Sequence, residues 1–594
     1  MTENAAVDLY EVIEDERGII VEKNVEMTTR DGVVLRADIY RPKAEGRYPV
    51  LMCRTPYNKD VTFTLDPGPS ISSAIGPVDA VSNGYVFIVQ DARGSGKSDA
   101  GSGNYRMYAD EKRDGADAVE WAAQLPCSNG KVAIFGTSYV GASAYQAATQ
   151  APSGLCAISI NAGPNDFYED HLHYGGALKL YLAGIWSLSR ALELAMKKGA
   201  SEEEIAQLKD NVARTEEVLA QIPLSGLPEL RPEDPGFAPY WYDIIGHTQR
   251  DDWTRDVMDA DEHRNIEVPA LVASGWYYAV ARGSIDHFVN LHRSGATEAA
   301  REQSRLIVGP WTVRQAMGGP TGGLDYDQTE AASSRFGPDG MAAVHQRFFD
   351  RHLKGVPGED EPRVQLFVMG RNEWRSEDEF PLSRAKDVAW HIGAGGRLSP
   401  DEAGAGEEPD SYAYDPANPF PSHGGAWVGP PTAEVGPADQ GPVLSRDDLV
   451  VYTSEPLERD LEVIGYPKMV LHAATSGRDT DWVVKLCDVH PDGTTYMVTD
   501  GILRARYRNA PDKPELLEPG EVAEYEVELY PTAMLFKAGH CLRIMITSSD
   551  FPRYDRNPNT GEEPADAAHF EIALQKVFHD RDRQSRIILP VIED

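Results

Sequence analysis

The stretch Val132-Ala133-Ile134-Phe135-Gly136-Thr137-Ser138-Tyr139-Val140-Gly141 constrains the fold more than any other part of this chain. A β-branched and aromatic run ends at Gly136, a serine follows two residues later, and residues 142–150 are rich in small helix formers. Strand, tight turn with a serine at its tip, then helix is the order of a nucleophile elbow. Glycines flank such a turn because it leaves no room for side chains beside it. The spacing here is G-x-S-x-x-G, with Val140 where the strict G-x-S-x-G motif has its second glycine. The strand and helix around it therefore carry the reading. In that geometry Ser138 stands at the C-terminal edge of a sheet, and the Tyr139 N–H points to where an oxyanion forms.

The flanking sequence has α/β order. Residues 33–40 alternate after the turn Arg30-Asp31-Gly32, a hairpin signal. Residues 85–90 are continuously apolar, as in a parallel strand covered on both faces. Gly96-Lys97-Ser98 resembles the end of a P-loop, but the required earlier glycine is Asp91, so nucleotide binding is not expected. Residues 110–125 read as an amphipathic helix and 155–160 as a buried strand. From 165 to 264 the pattern turns helical, with long segments at 176–198 and 202–222, and reads as an insertion. It opens on Glu169-Asp170-His171-Leu172-His173, an H-x-H beside acids that is read as a polar pocket rim; no metal is expected. Strands resume at 269–276 and 305–311, each stopping at Gly and Trp. Composition shifts to Gly, Pro, Asp and Glu near 385–445, and beyond it strands dominate, as in an all-β sandwich of jelly-roll type. The boundaries are thus 1–164 and 265–378 for the α/β domain, 165–264 for the insertion and 379–594 for the sandwich.

A formal net charge of −37 argues against nucleic acid and anionic membranes as partners. Residues 177–196, the most apolar long stretch, are interrupted by Lys179, Arg190 and Glu193, which argues against a membrane span. The five cysteines (Cys53, Cys127, Cys156, Cys487 and Cys541) form no C-x-x-C pair. Together with a polar, acidic N-terminus, they fit a cytoplasmic protein without a disulfide framework or zinc site. No cofactor is expected; the partner is a small-molecule substrate, and a homo-oligomer is left open.

Ordered short matches run along nearly the whole chain: Arg30-Asp31-Gly32, Pro56-Tyr57, Gln90-Asp91-Ala92-Arg93-Gly94, Gly136-Thr137-Ser138-Tyr139-Val140-Gly141, Gly275-Trp276-Tyr277, Gly309-Pro310-Trp311, Phe349-Asp350-Arg351-His352-Leu353 and Ser548-Ser549-Asp550-Phe551-Pro552. Through them the chain resembles the family of cocaine esterase and X-Pro dipeptidyl-peptidase, with the α-amino-acid ester hydrolases. The resemblance implies an α/β-hydrolase domain, a helical cap and a C-terminal jelly roll. It places the nucleophile at Ser138 and the oxyanion donors at the Tyr57 hydroxyl and the Tyr139 N–H. The family's acid follows Gly-Trp-Tyr, and here that residue is Tyr278. Its histidine lies two residues after Gly-Pro-Trp, and here that residue is Val313. Asp286, eight residues past Tyr278, is badly placed to replace the acid.

A free serine hydroxyl is a poor nucleophile at neutral pH and needs a base in reach and an orienter for that base. Three functions follow in order. The first is hydrolysis of, or acyl transfer from, a small ester, amide or thioester through Ser138, with a relocated base among His171, His173 and His287. The second is a non-hydrolytic cyclase, lyase or isomerase, in specialised metabolism, using the oxyanion hole and the hydroxyls of Tyr57, Tyr277 and Tyr278. The third is a catalytically dead binding protein. Asp170, His171 and His173 from the insertion, and Trp276, Tyr277, Trp311 and Val313 from the strand ends, are expected to line the substrate pocket.

Overall fold

Alternate residues of the apolar runs enter opposite cores, which is why these runs lack a polar face. In the strand Tyr48–Thr55, Val50 and Met52 pack into one cluster and Leu51 and Cys53 into another. Val86–Asp91 does the same with Val86 and Ile88 against Phe87 and Val89. The computed structural model describes residues 10–62, 75–101, 105–230, 238–312, 324, 340–357, 361–402, 404 and 406–593.

Among the described residues the first sheet has 11 strands. In chain order they are β1 (Glu11–Asp15), β2 (Ile19–Thr28), β3 (Val34–Pro42), β4 (Tyr48–Thr55), β5 (Val86–Asp91), β6 (Ser128–Thr137) and β7 (Leu155–Asn161). After the insertion, which holds the two-residue strands β8 (His173–Tyr174) and β9 (Ala177–Leu178), come β10 (Ala270–Tyr277), β11 (Arg305–Thr312), β12 (Val364–Val368) and β13 (Glu373–Glu377). The spatial order is β1-β2-β3-β5-β4-β6-β7-β10-β11-β12-β13, parallel from β5 to β12 and antiparallel at both ends. The elbow strand β6 thus lies mid-sheet, and its carboxyl end opens into the crevice where α/β sheets bind ligands.

The insertion is mainly helical. Its helices include Leu180–Lys197, Glu202–Ala213, Thr215–Leu219, Pro239–Gly246 and Asp252–Val257. Ser201 and Glu204 form a capping box that starts the second of these. Expected as one helix over 202–222, that segment breaks at Arg214, whose φ/ψ of −107°/29° is not helical. The β8–β9 hairpin turns at Gly175-Gly176, both at positive φ, but its strands are only two residues each, too short to show a period of two in the sequence.

The C-terminal half is all-β. Strands from Lys386–Gly393 to Arg586–Ile592 form a second sheet, with 13 strands among the described residues. The Gly/Pro-rich segment 385–445 belongs to it: Lys386–Gly393 pairs with Arg586–Ile592, and Asp410–Tyr414 pairs with Ala573–Phe578. The sandwich is docked tightly on the rest of the chain. Arg504 donates its main-chain N–H to Gly175, Tyr277 donates to Met497, and Tyr530 donates to Ala279. Among the described residues, no helix is long and apolar enough to cross a membrane. All five cysteines are free.

Candidate active site

Ser138 has φ 56° and ψ −121°, a conformation that costs energy for a residue with a Cβ. Two hydrogen bonds hold it there. Its N–H donates to Asn161 O at 2.8 Å, from the end of β7, and its carbonyl accepts the Ala142 N–H at 2.9 Å. The flanking glycines are sterically required. A Cβ on Gly136 would lie 2.1 Å from Val140 Cγ1, and one on Gly141 would lie 2.9 Å from Gly136 O and 3.2 Å from Asn161 O. The second glycine is at 141 because Val140 fills the space over Gly136. The Ser138 side chain is exposed and makes no hydrogen bond among the described residues.

Tyr139 begins the elbow helix Tyr139–Ala148. Its ring is buried and stacks on Tyr108 at 4.1 Å. Its hydroxyl lies 3.4 Å from Glu111, which in turn is held by Arg54 at 3.0 Å. The side chain is thus an anchor. Tyr57 is half-buried, with its ring edge-on to Tyr139 at 6.2 Å and under the Arg190 guanidinium at 5.2 Å. Arg190, from the cap helix Leu180–Lys197, also donates to Pro56 O and so ties the cap to this turn. Burial raises the Tyr57 hydroxyl pKa, with Arg190 opposing it, so at neutral pH it is a protonated donor.

The two strand ends read as lacking acid and histidine differ in what they show. Tyr278 packs in an apolar cluster with Ala162, Tyr174 and Tyr530, and its hydroxyl makes no hydrogen bond among the described residues. Burial alone raises its pKa. Val313 lies outside the described residues. Asp286 is taken by Arg282 at 3.2 Å and by the Tyr466 hydroxyl.

Three expected pocket residues have other partners. The Trp276 indole donates to Phe367 O at 2.8 Å, and the Tyr277 hydroxyl donates to Met497 O at 3.2 Å. Both side chains are buried; Trp276 ties β10 to β12 within the first sheet, and Tyr277 reaches the C-terminal domain, so neither faces a pocket. Trp311 is half-buried, lies across Gly309 and packs near Trp374. Contacts distant in sequence decide these destinations, with Phe367 and Trp374 inside the first sheet and Met497 in the C-terminal domain, and no local sequence signal carries them.

Asp170 and His171 lie on a π-helix, Phe167–Leu172, whose N-cap Asp166 accepts the N–H groups of Tyr168 and Glu169. Asp170 Oδ1 accepts the Gly283 N–H at 3.1 Å, so it caps the helix Ala281–Ser294. Its Oδ2 is buried without a partner, and Lys179 lies 3.9 Å from Oδ1. Burial, opposed by Lys179, pushes its pKa up to about 7. Asp170 and Glu169 line a cavity of about 460 Å³ against Arg282, Asp286 and Glu528.

The histidines separate clearly. His171 sits edge-on to Tyr108 at 5.2 Å, one ring beyond Tyr139. Its Nε2 meets Met107 Sδ at 3.2 Å, and its buried Nδ1 has no partner. Burial holds its pKa down at about 3, so it is neutral. His173 stacks on Tyr168 at 4.3 Å and lines a small cleft with Arg504 and Tyr507, facing the C-terminal domain. His287 has both nitrogens engaged, one by His263 at 2.8 Å and one by Pro164 O at 3.1 Å, which removes it as a base. Sequence reading missed His345, on the helix Gly340–Phe349. Its Nδ1 meets Met341 O at 2.8 Å, and its Nε2 meets the Asn161 amide at 3.2 Å. It thereby steadies the residue whose carbonyl holds the Ser138 N–H.

Two family models match. The X-Pro dipeptidyl-peptidase (S15 family) covers residues 31–312, and the X-Pro dipeptidyl-peptidase C-terminal non-catalytic domain covers residues 355–588. Cocaine esterase from Rhodococcus sp. (strain MB1 Bresler) is 32% identical over 597 residues, which span 96% of this chain and 99% of that protein. A putative serine esterase from Mycobacterium tuberculosis (strain CDC 1551 / Oshkosh) is 27% identical over 644 residues, 96% of this chain and 95% of its own. Among solved structures, an aminopeptidase from the marine sediment archaeon Thaumarchaeota archaeon superposes with a TM-score of 0.79 at 25% identity, covering all of both chains. An α-amino acid ester hydrolase gives 0.76 at 24% identity, covering 99% of this chain and 100% of that one.

Proposed function

The chain belongs to the cocaine-esterase and X-Pro dipeptidyl-peptidase family of α/β-hydrolases, and from that membership we propose that it hydrolyses, or transfers the acyl group of, a small ester, amide or thioester through Ser138, with a non-standard base. The observation that carries this is the strained Ser138 turn with its exposed hydroxyl. Such strain persists only where surrounding structure enforces it, and it clusters at working sites.

In this reading the Ser138 oxygen attacks the substrate carbonyl, and the Tyr139 N–H and Tyr57 hydroxyl take the developing oxyanion. His171 receives the serine proton and returns it to the leaving group. Its support is an unpartnered Nδ1, a neutral ring and a position one aromatic layer from the elbow. Catalytic hydrogen bonds are commonly long without substrate and tighten in the complex. A histidine with so low a pKa is a weak base, so turnover is slow and fluorophosphonate labelling of Ser138 is slow with it.

The test is ester and thioester turnover in the wild type, Ser138→Ala and His171→Ala. Both variants should lose at least about 10²-fold. The acid limb of the wild-type rate profile should lie toward the His171 pKa of about 3, well below an ordinary histidine limb at about 6.5. Fast labelling with an acid limb near 6.5 would point to a different base.

A second reading is a lyase, cyclase or isomerase that uses the oxyanion hole without acylation. The Ser138 hydroxyl without a hydrogen bond among the described residues favours it, as does the protonated Tyr57 hydroxyl, whose ring packs on Tyr139. Under it Ser138→Ala keeps most activity and Tyr57→Phe loses it.

A further inference from the structure

The C-terminal domain gathers three metal-ligating side chains far in sequence from the serine. Asp488 is the penultimate residue of the strand Asp481–Val489, and His490 follows that strand in the hairpin to Thr495–Arg504. His540 comes from a separate turn, immediately before Cys541–Thr547. His540 Nδ1 is 2.9 and 3.0 Å from the two Asp488 oxygens, and His490 Nε2 is 3.3 Å from Oδ2. One ligand atom from each residue can be chosen so that all three lie within 4.8 Å of one another.

We propose that Asp488, His490 and His540 form a binding site for one divalent transition-metal ion of the zinc type. Two imidazole nitrogens and a carboxylate suit zinc, cobalt or nickel, whereas calcium and magnesium take oxygen ligands. Metal–ligand bonds of about 2.0–2.2 Å in a tetrahedron leave ligand atoms ~3.3 Å apart. The nitrogen–oxygen separations of 2.9–3.3 Å are already close to that spacing. Small shifts would exchange the hydrogen bonds for metal bonds.

The frame is built without the ion. Asp488 pairs with Leu542 and Val489 with Cys541 across antiparallel strands, which sets the two turns side by side. Within the hairpin, Gly493 donates to His490 O at 2.9 Å, and the His490 N–H donates to Thr494 O at 2.9 Å. In the other turn, the His540 N–H donates to Lys537 O at 3.0 Å and its carbonyl accepts from Leu457 at 2.8 Å. Exposure rises outward, from 3% for the Asp488 side chain to 13% for His540 and 26% for His490. An ion therefore has an entry path, and water can fill the fourth position. Among the described residues, the remote imidazole nitrogens have no protein acceptor, so the outer shell that strengthens metal sites is thin and affinity is moderate. A bound ion would staple the hairpin to the neighbouring turn; no catalysis is assigned to it.

The experiment uses the full chain stripped with chelator. Zinc titrated calorimetrically should bind with one-to-one stoichiometry, and cobalt should give a visible d–d band at the same stoichiometry. Zinc should also raise the thermal midpoint. His490→Gln and His540→Gln should each weaken zinc binding at least about 10-fold and abolish the midpoint shift. His490→Gln lies in a partly exposed turn and serves where His540→Gln fails to fold. His173→Ala, in the H-x-H of the cap, should bind like wild type. Absence of stoichiometric binding overturns the proposal. So does unchanged affinity in both glutamine variants, or loss of binding in His173→Ala alone.

Discussion

At the scale of single residues, the side chain that follows β10 lends itself to a direct test. Tyr278 packs among apolar neighbours and its hydroxyl makes no hydrogen bond among the described residues. Tyr278→Phe should therefore change stability by no more than about 0.5 kcal/mol and leave ester turnover unaltered. Loss of activity in that variant would make the tyrosine hydroxyl part of the chemistry. Tyr278→Asp should instead cost about 3–5 kcal/mol in denaturant titration, because it trades a packed ring for a cavity and a buried acid. Asp170 offers a pH-dependent test. Its native pKa of about 7 exceeds an unfolded value of about 3.9, so the native state holds a proton that the unfolded state releases. Wild-type stability therefore falls as pH rises between those values. Asn at 170 does not titrate, so the stability of Asp170→Asn relative to wild type should rise by about 2–3 kcal/mol from pH 5 to pH 8. A difference independent of pH would show that Lys179 keeps the carboxylate charged in the native state.

At the scale of elements, the elbow and the parallel strands were legible because their signals are local. A run buried on both faces has no polar alternation, and a strained turn advertises its glycines. The three short strands of 385–445 were hidden, since Gly and Pro between them mask a period of two. Trp276 and Tyr277 were misread as pocket residues because their partners, Phe367 and Met497, lie about 90 and 220 residues away in sequence. His345 has no local signal in its helix, and only the β7–helix contact reveals its hold on Asn161. The elbow itself is testable. Gly141→Ala would press a methyl onto Gly136 O and Asn161 O, and the turn must give way. The expected outcome is a folded protein, by circular dichroism, whose Ser138 labelling falls about 10²-fold through misplacement.

At the scale of the whole molecule, the C-terminal domain is fixed by buried ion pairs. Arg504 reaches Asp481 at 2.9 Å and Asp555 at 2.8 Å, and its N–H holds the β8–β9 turn of the cap. Arg504→Met should destabilise the protein by about 3–5 kcal/mol, because two carboxylates lose their buried partner. The loss should be smaller at pH 5 than at pH 8. Burial already raises Asp481 to about 6 with Arg504 present, and protonation at low pH relieves the unpaired charge. Thermal midpoints at the two pH values check this. The loop after β10 is gripped from outside its own domain, by Met497 O through Tyr277 and by the Tyr530 hydroxyl through Ala279 O. Domain shuffling is therefore closed to this architecture. A sandwich borrowed from a relative would bring its own carbonyls and hydroxyls to that loop and shift the end of β10. New specificity has to arise by substitution within one lineage, with both halves changing together. Chimeras made at residue 380 should behave as broken enzymes, and a phylogeny of either half should reproduce that of the other.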